Sequence, residues 1–249
     1  MTMPPKNASP ESDWPVLGLI LPAAGQGAAE AASLYPEGVR FISTVIGLQS
    51  MTSEGYGAVI DRIVPAARQL ADEGASAIVL MGTSLSFFKG SAFNLQMRAQ
   101  MSEASGVPTL TMTDAIIHGL LELGARSLAV ATAYGDEVNG QLRVYLEQEG
   151  FEILALRGLG ITSLGNQTLD RVTPSALVKF GAATAASAPR AQAILVSCGG
   201  LRTLHILDPL ERRSGLPVVS SFPHALRAGV RLLGLDGQRQ SYGTLLARA

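Results

Sequence analysis

An α/β fold of two pseudo-symmetric lobes, each a mostly parallel sheet flanked by helices, is what the sequence predicts. Three observations predict it. Short apolar runs bounded by glycine, proline or hydroxyl residues alternate with longer stretches of helical periodicity, the pattern of strands buried on both faces and joined by crossover helices. Residues 191–201, AQAILVSCGGL, run from such a strand into Ser197, the single cysteine Cys198, and the pair Gly199 and Gly200. The first half of the chain echoes the second: AIVLMGTS from Ala77 lies on AILVSCGG from Ala193, LGLILPA from Leu17 on LAVATAY from Leu128, and GVPTLT from Gly106 on GLPVVS from Gly215. The offsets are 116, 111 and 109 residues, the mark of a duplicated unit.

The elements follow in order. Residues 1–14 are expected to be a flexible tail. Val16–Leu21 reads as the first strand, stopped by Pro22. Gly25 and Gly27 come next, but a dinucleotide fingerprint would need glycine or alanine where Glu30 stands, so the segment reads as a turn or a pocket wall. Residues 39–48 form the second strand and its exit. Thr52 is placed to cap a helix running to about Glu73, with Ile60, Ile63, Val64, Ala67 and Leu70 on one face. Residues 77–81 are the third strand, 86–90 a loop, 92–104 a helix, 109–112 a strand and 115–123 a helix. The second unit opens near Ala125. It holds a strand at 127–133, a helix capped by Asp136, a strand at 153–156, a loop at 158–167 and a helix at 173–186. The cysteine strand follows, then a helix at 203–214, a strand at 217–220 and a last helix at 223–233 expected to cross back to the first lobe. The lobes are therefore drawn as 15–124 with 222–249, and 125–221.

Composition narrows the function classes. The chain has 249 residues, 47% hydrophobic and 16% charged, enough for a sizeable core. Its net charge of −1, without a basic stripe, argues against nucleic acid as a partner. No apolar run reaches the length of a membrane span, and MTMPPKNASPESDW at the start carries no apolar signal region. The sequon Asn7-Ala8-Ser9 has no meaning without secretion. One cysteine allows no intramolecular disulfide, so a cytoplasmic setting is expected.

A lone cysteine is by composition a small buried hydrophobe. Cys198 differs in lying at the carboxyl end of a strand, where α/β sheets place their chemistry, with two residues lacking β-carbons behind it so that backbone N–H groups can approach an anion. Gly82 occupies the matching position in the first half, followed by Thr83 and Ser84. The nucleophile elbow fails there because Ser86 replaces its last glycine, which casts Thr83 and Ser84 as hydrogen-bond donors. Tyr134, at a strand exit beside Gly135, is the tyrosine best placed for function; Tyr56, near a helix start, reads on its own as packing. His118 sits inside a helix and reads as structural, His205 follows the Cys198 turn, and His224 is undecided. The three histidines are scattered and there is no CxxC pair, so neither a metal nor a cofactor is expected.

The segments PAAG at Pro22, LYP at Leu34, TSEGY at Thr52, MGTSLSFFKGSAFN at Met81, ATAYGDEVN at Ala131, LGIT at Leu159, VSCGGL at Val196 and LPVVSS at Leu216 resemble the aspartate/glutamate racemase superfamily. Racemases there carry a cysteine in each lobe; one cysteine facing a glycine is similar to the arylmalonate decarboxylases. The resemblance implies an active site in the cleft between lobes and cofactor-free decarboxylation of 2-aryl or 2-alkenyl malonates to optically enriched monocarboxylic acids. It implies an enediolate held by Thr83, Ser84, Tyr134 and the Cys198 and Gly199 amides, and protonated by the Cys198 thiol. Pro22, Leu48 and Met51 would wall the departing carboxylate, Tyr56 would join the substrate contacts, and Gly82 would leave the opposite face without an acid. It gives His205 no role. The expected partner is a small malonate-type dicarboxylate, and the expected state a monomer or small homo-oligomer. Two other readings stay open: a racemase or isomerase of a small carboxylic acid, which would exchange deuterium without releasing CO2, and a dicarboxylate-binding protein indifferent to Cys198.

Overall fold

The structure, a computed structural model, describes residues 11–25, 27–164 and 168–248. Two four-stranded parallel sheets share one topology. The first holds β1 (Val16–Leu21), β2 (Arg40–Val45), β3 (Ala77–Leu80) and β4 (Thr109–Thr111) in the order β2-β1-β3-β4. The second holds β5 (Ser127–Thr132), β6 (Glu152–Gly158), β7 (Ala193–Ser197) and β8 (Val218–Ser220) in the order β6-β5-β7-β8. The central strands β1, β3 and β7 are buried along their whole length, as their unbroken apolar runs require. The edge strands β2 and β6 carry exposed and half-exposed positions and are accordingly more polar. Registers Ile20↔Leu80 and Thr132↔Ser197 bring the inner strand ends level, so that the exits of β1, β3, β5 and β7 converge.

Ten helices are described around the sheets: α1 (Gly27–Leu34), α2 (Ser53–Gly57), α3 (Ile63–Asp72), α4 (Thr83–Phe87), α5 (Ser91–Ser105), α6 (Met112–Glu122), α7 (Asp136–Gln148), α8 (Pro174–Ala186), α9 (Leu207–Ser214) and α10 (Ser221–Leu232). Helix α10, although it follows β8, lies over the first sheet. Leu226 and Val230 pack with Leu17 and Val79, and a β-carbon on Gly229 would come within 2.7 Å of Val79 Cγ2. Buried Arg227 on α10 donates to both carboxylate oxygens of Glu122 on α6, at 2.8 and 2.7 Å.

Several local expectations are corrected. Of the expected tail, residues 1–10 lie outside the described residues and Glu11–Asp13 form a 3-10 turn. Helix α1 replaces the expected turn or pocket wall over Gly27–Leu34, because the alanine-rich run GAAEAASL favours helix more strongly than its leading glycine opposes it. Thr52 does cap a helix, accepting from the Gly55 N–H at 3.1 Å, but the helix does not continue to Glu73. It breaks into α2, a 3-10 turn at Ile60–Arg62 and α3. Gly55 and Gly57 weaken the first part, and Pro65 fits only the first turn of a new helix, where no N–H is needed. Likewise residues 203–214 divide into a 3-10 turn (Leu204–Ile206) and α9, with Pro209 in the first turn of the latter. The expected loop at 86–90 begins inside α4, because Thr83 continues from Gly82 as the first helical residue. The cap of α7 is the Gly135 backbone, and Asp136 is the first helical residue.

Candidate active site

The converging strand exits enclose a cavity of about 220 Å³ lined from both sheets. Each wall grows out of a strand end. After β1 the chain turns at Pro22; after β3 it turns at Gly82 into α4; after β5 it passes Tyr134; after β7 it turns at Cys198. The roof comes from the loops behind the two equivalent edge strands. Ser50, beyond β2, pairs antiparallel with Ser163, beyond β6. The Met51 N–H donates to the Thr162 carbonyl at 2.7 Å and the Leu164 N–H to that of Gln49 at 3.0 Å. This pairing fixes Leu48, Met51 and Leu164 over the cavity. The expected loop 158–167 thus covers the site through residue 164, and residues 165–167 lie outside the described ones.

The cavity brings together Pro22, Leu48, Met51, Gly82, Thr83, Ser84, Tyr134, Cys198 and Gly199 from the predicted set. Tyr56 does not line it. That ring is wholly buried behind the wall, edge-on to Phe88 at 5.2 Å, and its hydroxyl lies near Ser84 without a well-formed hydrogen bond. His118 is exposed on α6, and His205 is exposed and tilted against Tyr242 at 6.1 Å. His224 is buried with Nδ1 against the Ser220 backbone, and burial pushes its imidazole down to about 4, so it stays neutral. None of the three histidines lines the cavity.

Cys198 is buried, its Sγ 3.9 Å from Met51 Sδ. Burial pushes the thiol up to about 11; the Gly200 and Leu201 amides and the Tyr134 hydroxyl favour the thiolate but only partly offset this. The group is therefore a neutral S–H at physiological pH. Its backbone has φ +149°, a region that side-chain-bearing residues seldom occupy and that costs on the order of 1–3 kcal/mol. The turn also presses against the other half: a β-carbon on Gly199 would sit 2.9 Å from the Met81 carbonyl oxygen and 3.0 Å from Met112 Sδ. Only glycine lets the two strand ends approach this closely.

Tyr134 is wholly buried with its hydroxyl 3.4 Å from Ser197 Oγ, and burial raises its ionisation well above the ordinary phenol value, leaving it a neutral donor. A small network aims it. The Tyr134 N–H donates to Thr132 Oγ1 at 3.1 Å, Thr132 Oγ1 donates to Asn139 Oδ1 at 2.6 Å, and Asn139 Nδ2 donates to the Tyr134 carbonyl at 3.1 Å. Gly158 closes it, because a β-carbon there would collide with the Tyr134 carbonyl and with Asn139 Nδ2.

Two features went unforeseen. The Cys198 amide is not free for an anion, as expected from the turn, since it donates to Ser221 Oγ at 3.1 Å. Ser221 also receives the Thr83 hydroxyl at 3.0 Å. The repeat LPVVSS pointed to this stretch, but nothing local marks a serine at a helix start as reaching across a cleft. At the mouth, Arg202 is paired with Asp170 at 2.9 Å, and burial raises the nearby Glu30 carboxyl against the pull of Arg202. Among the described residues no three of His, Cys, Asp and Glu cluster as metal ligands would, and no helix is long and apolar enough to cross a membrane.

One cavity thus holds a buried thiol, the glycine of the equivalent strand end and three hydroxyls. The arylmalonate decarboxylase family model matches residues 17–246. The chain belongs to the arylmalonate decarboxylase family. It is 44% identical to an arylmalonate decarboxylase of Bordetella bronchiseptica over 94% of this chain and 98% of that one. Among solved structures, a liganded double mutant of arylmalonate decarboxylase superposes with a TM-score of 0.89 at 44% identity, covering 93% of this chain and 98% of the other. A maleate isomerase from Pseudomonas putida S16, crystallised with maleate, shares the fold at a TM-score of 0.86 and 21% identity over 94% and 98% of the two chains.

Proposed function

We propose that the protein decarboxylates 2-aryl or 2-alkenyl malonates without a cofactor, and that Cys198 delivers the new proton to one face of the product. The observation that carries this reading is that the buried Cys198, whose thiol burial keeps protonated, and Gly82, its counterpart at the equivalent strand end, line one cavity. The carbon–carbon bond to one carboxylate breaks, CO2 leaves, and the electron pair passes to the α-carbon and into the retained carboxylate as an enediolate. Thr83, Ser84, Tyr134 and the Gly199 N–H are the donors assigned to that charge. They are preorganised by the turns that carry them, and each is worth about 3–4 kcal/mol by analogy with oxyanion-hole donors. Without substrate the single Thr83 hydroxyl proton goes to Ser221 Oγ or Met112 Sδ; to serve the enediolate it turns onto the substrate, and Ser221 then donates its own hydroxyl proton to Thr83 Oγ1.

The departing carboxylate is assigned to the apolar side under Pro22, Leu48 and Met51, where losing its charge removes a desolvation penalty. Cys198 then transfers its S–H proton to the α-carbon, and the thiolate regains a proton from water. A thiol held near 11 is uncharged before the step and strongly favours reprotonation after it. Gly82 offers no acid on the other face, so a single enantiomer results.

The test is incubation of the purified protein, without added metal or cofactor, with phenylmalonate, following CO2 release beside Cys198→Ala. The wild type is expected to release CO2, and the variant to lose about 10²- to 10⁴-fold of the rate, the range for a missing general acid. A fully active variant overturns the assignment of Cys198, and silence from the wild type overturns the substrate.

A further inference from the structure

We propose that Ser221 is a positioning residue for this reaction, holding the Cys198 turn and the Thr83 hydroxyl in one geometry across the cleft. The inference rests on the decarboxylase reading for its kinetic consequences, but its structural basis is independent. Ser221 is the first residue of α10, directly after β8, and is wholly buried. It does not line the cavity, so it acts through its neighbours. Its Oγ accepts the Cys198 N–H at 3.1 Å and the Thr83 hydroxyl at 3.0 Å, which uses both lone pairs. One partner carries the proposed proton donor, from β7; the other begins the α4 turn behind β3.

The backbone gives this link its force. A residue at φ +149° persists only where its surroundings hold it there, and the Ser221 bond falls on the Cys198 amide itself. The same oxygen sets Thr83. The turn that carries the donor thiol and the enediolate-binding hydroxyl are thus tied through one shared atom.

Removing that atom in Ser221→Ala leaves the buried Cys198 N–H unsatisfied and the Thr83 hydroxyl with Met112 Sδ alone, and lets the turns drift. A misplacement near 1 Å at a reacting centre costs about 100-fold, so kcat is expected to fall about 10- to 100-fold with KM within about 3-fold. Optical purity of the product is expected to fall as well, since the thiol is no longer fixed over one face. A purely structural role would lower Tm and the active fraction while leaving optical purity intact.

A second readout does not depend on turnover: alkylation of Cys198 by iodoacetamide, resolved by peptide mass spectrometry well below Tm. Release of the strained turn is expected to speed it about 10-fold, by the same order of energy that the strain holds. Ser221→Cys keeps the side-chain shape with a far weaker acceptor and is expected to behave alike, which covers the case of an alanine variant that does not fold. Silence of the wild type toward arylmalonates would defeat the functional reading alone. An alkylation rate equal to wild type in a folded Ser221 variant overturns the proposal whatever the activity shows.

Discussion

The ends of β3 and β7 are equivalent by topology and opposite in residue choice. At the end of β3 stands Gly82, with φ −125°, a conformation any residue adopts. At the end of β7 stands Cys198, with φ +149°, where glycine is favoured. Backbone preference alone would exchange the two residues. The side chain is therefore present where the backbone resists it and absent where the backbone would accept it. Strain kept against an easy alternative is what the proposed role of Cys198 in the chemistry would require. The next positions continue the contrast: Thr83 follows Gly82, whereas Gly199 follows Cys198, and the helix after β4 starts with Met112 where that after β8 starts with Ser221. Thr83 touches both helix starts, at 2.9 Å to Met112 Sδ and 3.0 Å to Ser221 Oγ. The asymmetry is thus a connected set across the cleft.

Making the two ends alike breaks the comparison most severely. Cys198→Gly is expected to cost about 10²- to 10⁴-fold in turnover, as Cys198→Ala does. The two variants should part in stability. Glycine relieves the backbone at φ +149° and alanine does not, so Cys198→Gly is expected to unfold at higher urea than Cys198→Ala, by about 1–2 kcal/mol. Equal midpoints would mean that the turn is not strained and that the residue choice carries no message.

The reverse exchange sharpens it. Gly82→Cys places a thiol on the other face, where the backbone accepts it but the space is tight. Its β-carbon meets Leu85 Cδ1 at 2.7 Å and Pro22 Cγ at 3.1 Å. The Leu85 methyl is the free end of a side chain and can turn away, at a cost of about 1–3 kcal/mol. With a thiol on each face, the variant is expected to exchange the α-proton of a 2-arylpropionate for deuterium and to release product of reduced optical purity. Product as optically pure as that of the wild type would show that facial control does not come from the missing acid at Gly82.

Much of this was legible in the sequence because duplication repeats a physical pattern. Val16–Leu21 coincides with its predicted strand, and β3, β5, β7 and β8 are recovered to within a residue at each end, since parallel strands buried on both faces must be apolar throughout. The cysteine at a strand end and the glycine–hydroxyl run opposite it were visible for the same reason. What stayed hidden depends on contacts between distant segments. Ser221 reaches Cys198 across 23 positions and Thr83 across 138, and the Ser50–Ser163 pairing that roofs the cavity joins two loops with no pattern of their own. The breaks at 52–73 and 203–214 have a local sign in Pro65 and Pro209, which oppose the apolar periodicity around them.

The smallest expected effect concerns the shelter each strand end offers. Gly82 cannot titrate; Cys198 can, and its burial has a measurable consequence. The folded thiol lies near 11, above the ordinary value of 9.0. A raised value means that the fold prefers the protonated form, so the associated stability is whole below the unfolded value and drains away as pH rises through the folded one. The window runs from about pH 9 to about pH 11, and two units amount to at most roughly 3 kcal/mol. Buried tyrosines, Tyr35, Tyr56, Tyr134 and Tyr145, are also raised and drain stability from about pH 10 upward; Tyr35 and Tyr145 do so alike in wild type and Cys198→Ala, whereas Tyr56 and Tyr134 are pushed up further by charge on Cys198. Urea unfolding of both proteins at about pH 8 and about pH 10.5 therefore reads the thiol together with its coupling to Tyr56 and Tyr134, with the wild type expected to lose more. Parallel losses in the two would mean that neither the thiol nor its coupling to the two tyrosines resists ionisation in the fold, and the end of β7 would then be no better suited to holding a proton than the end of β3.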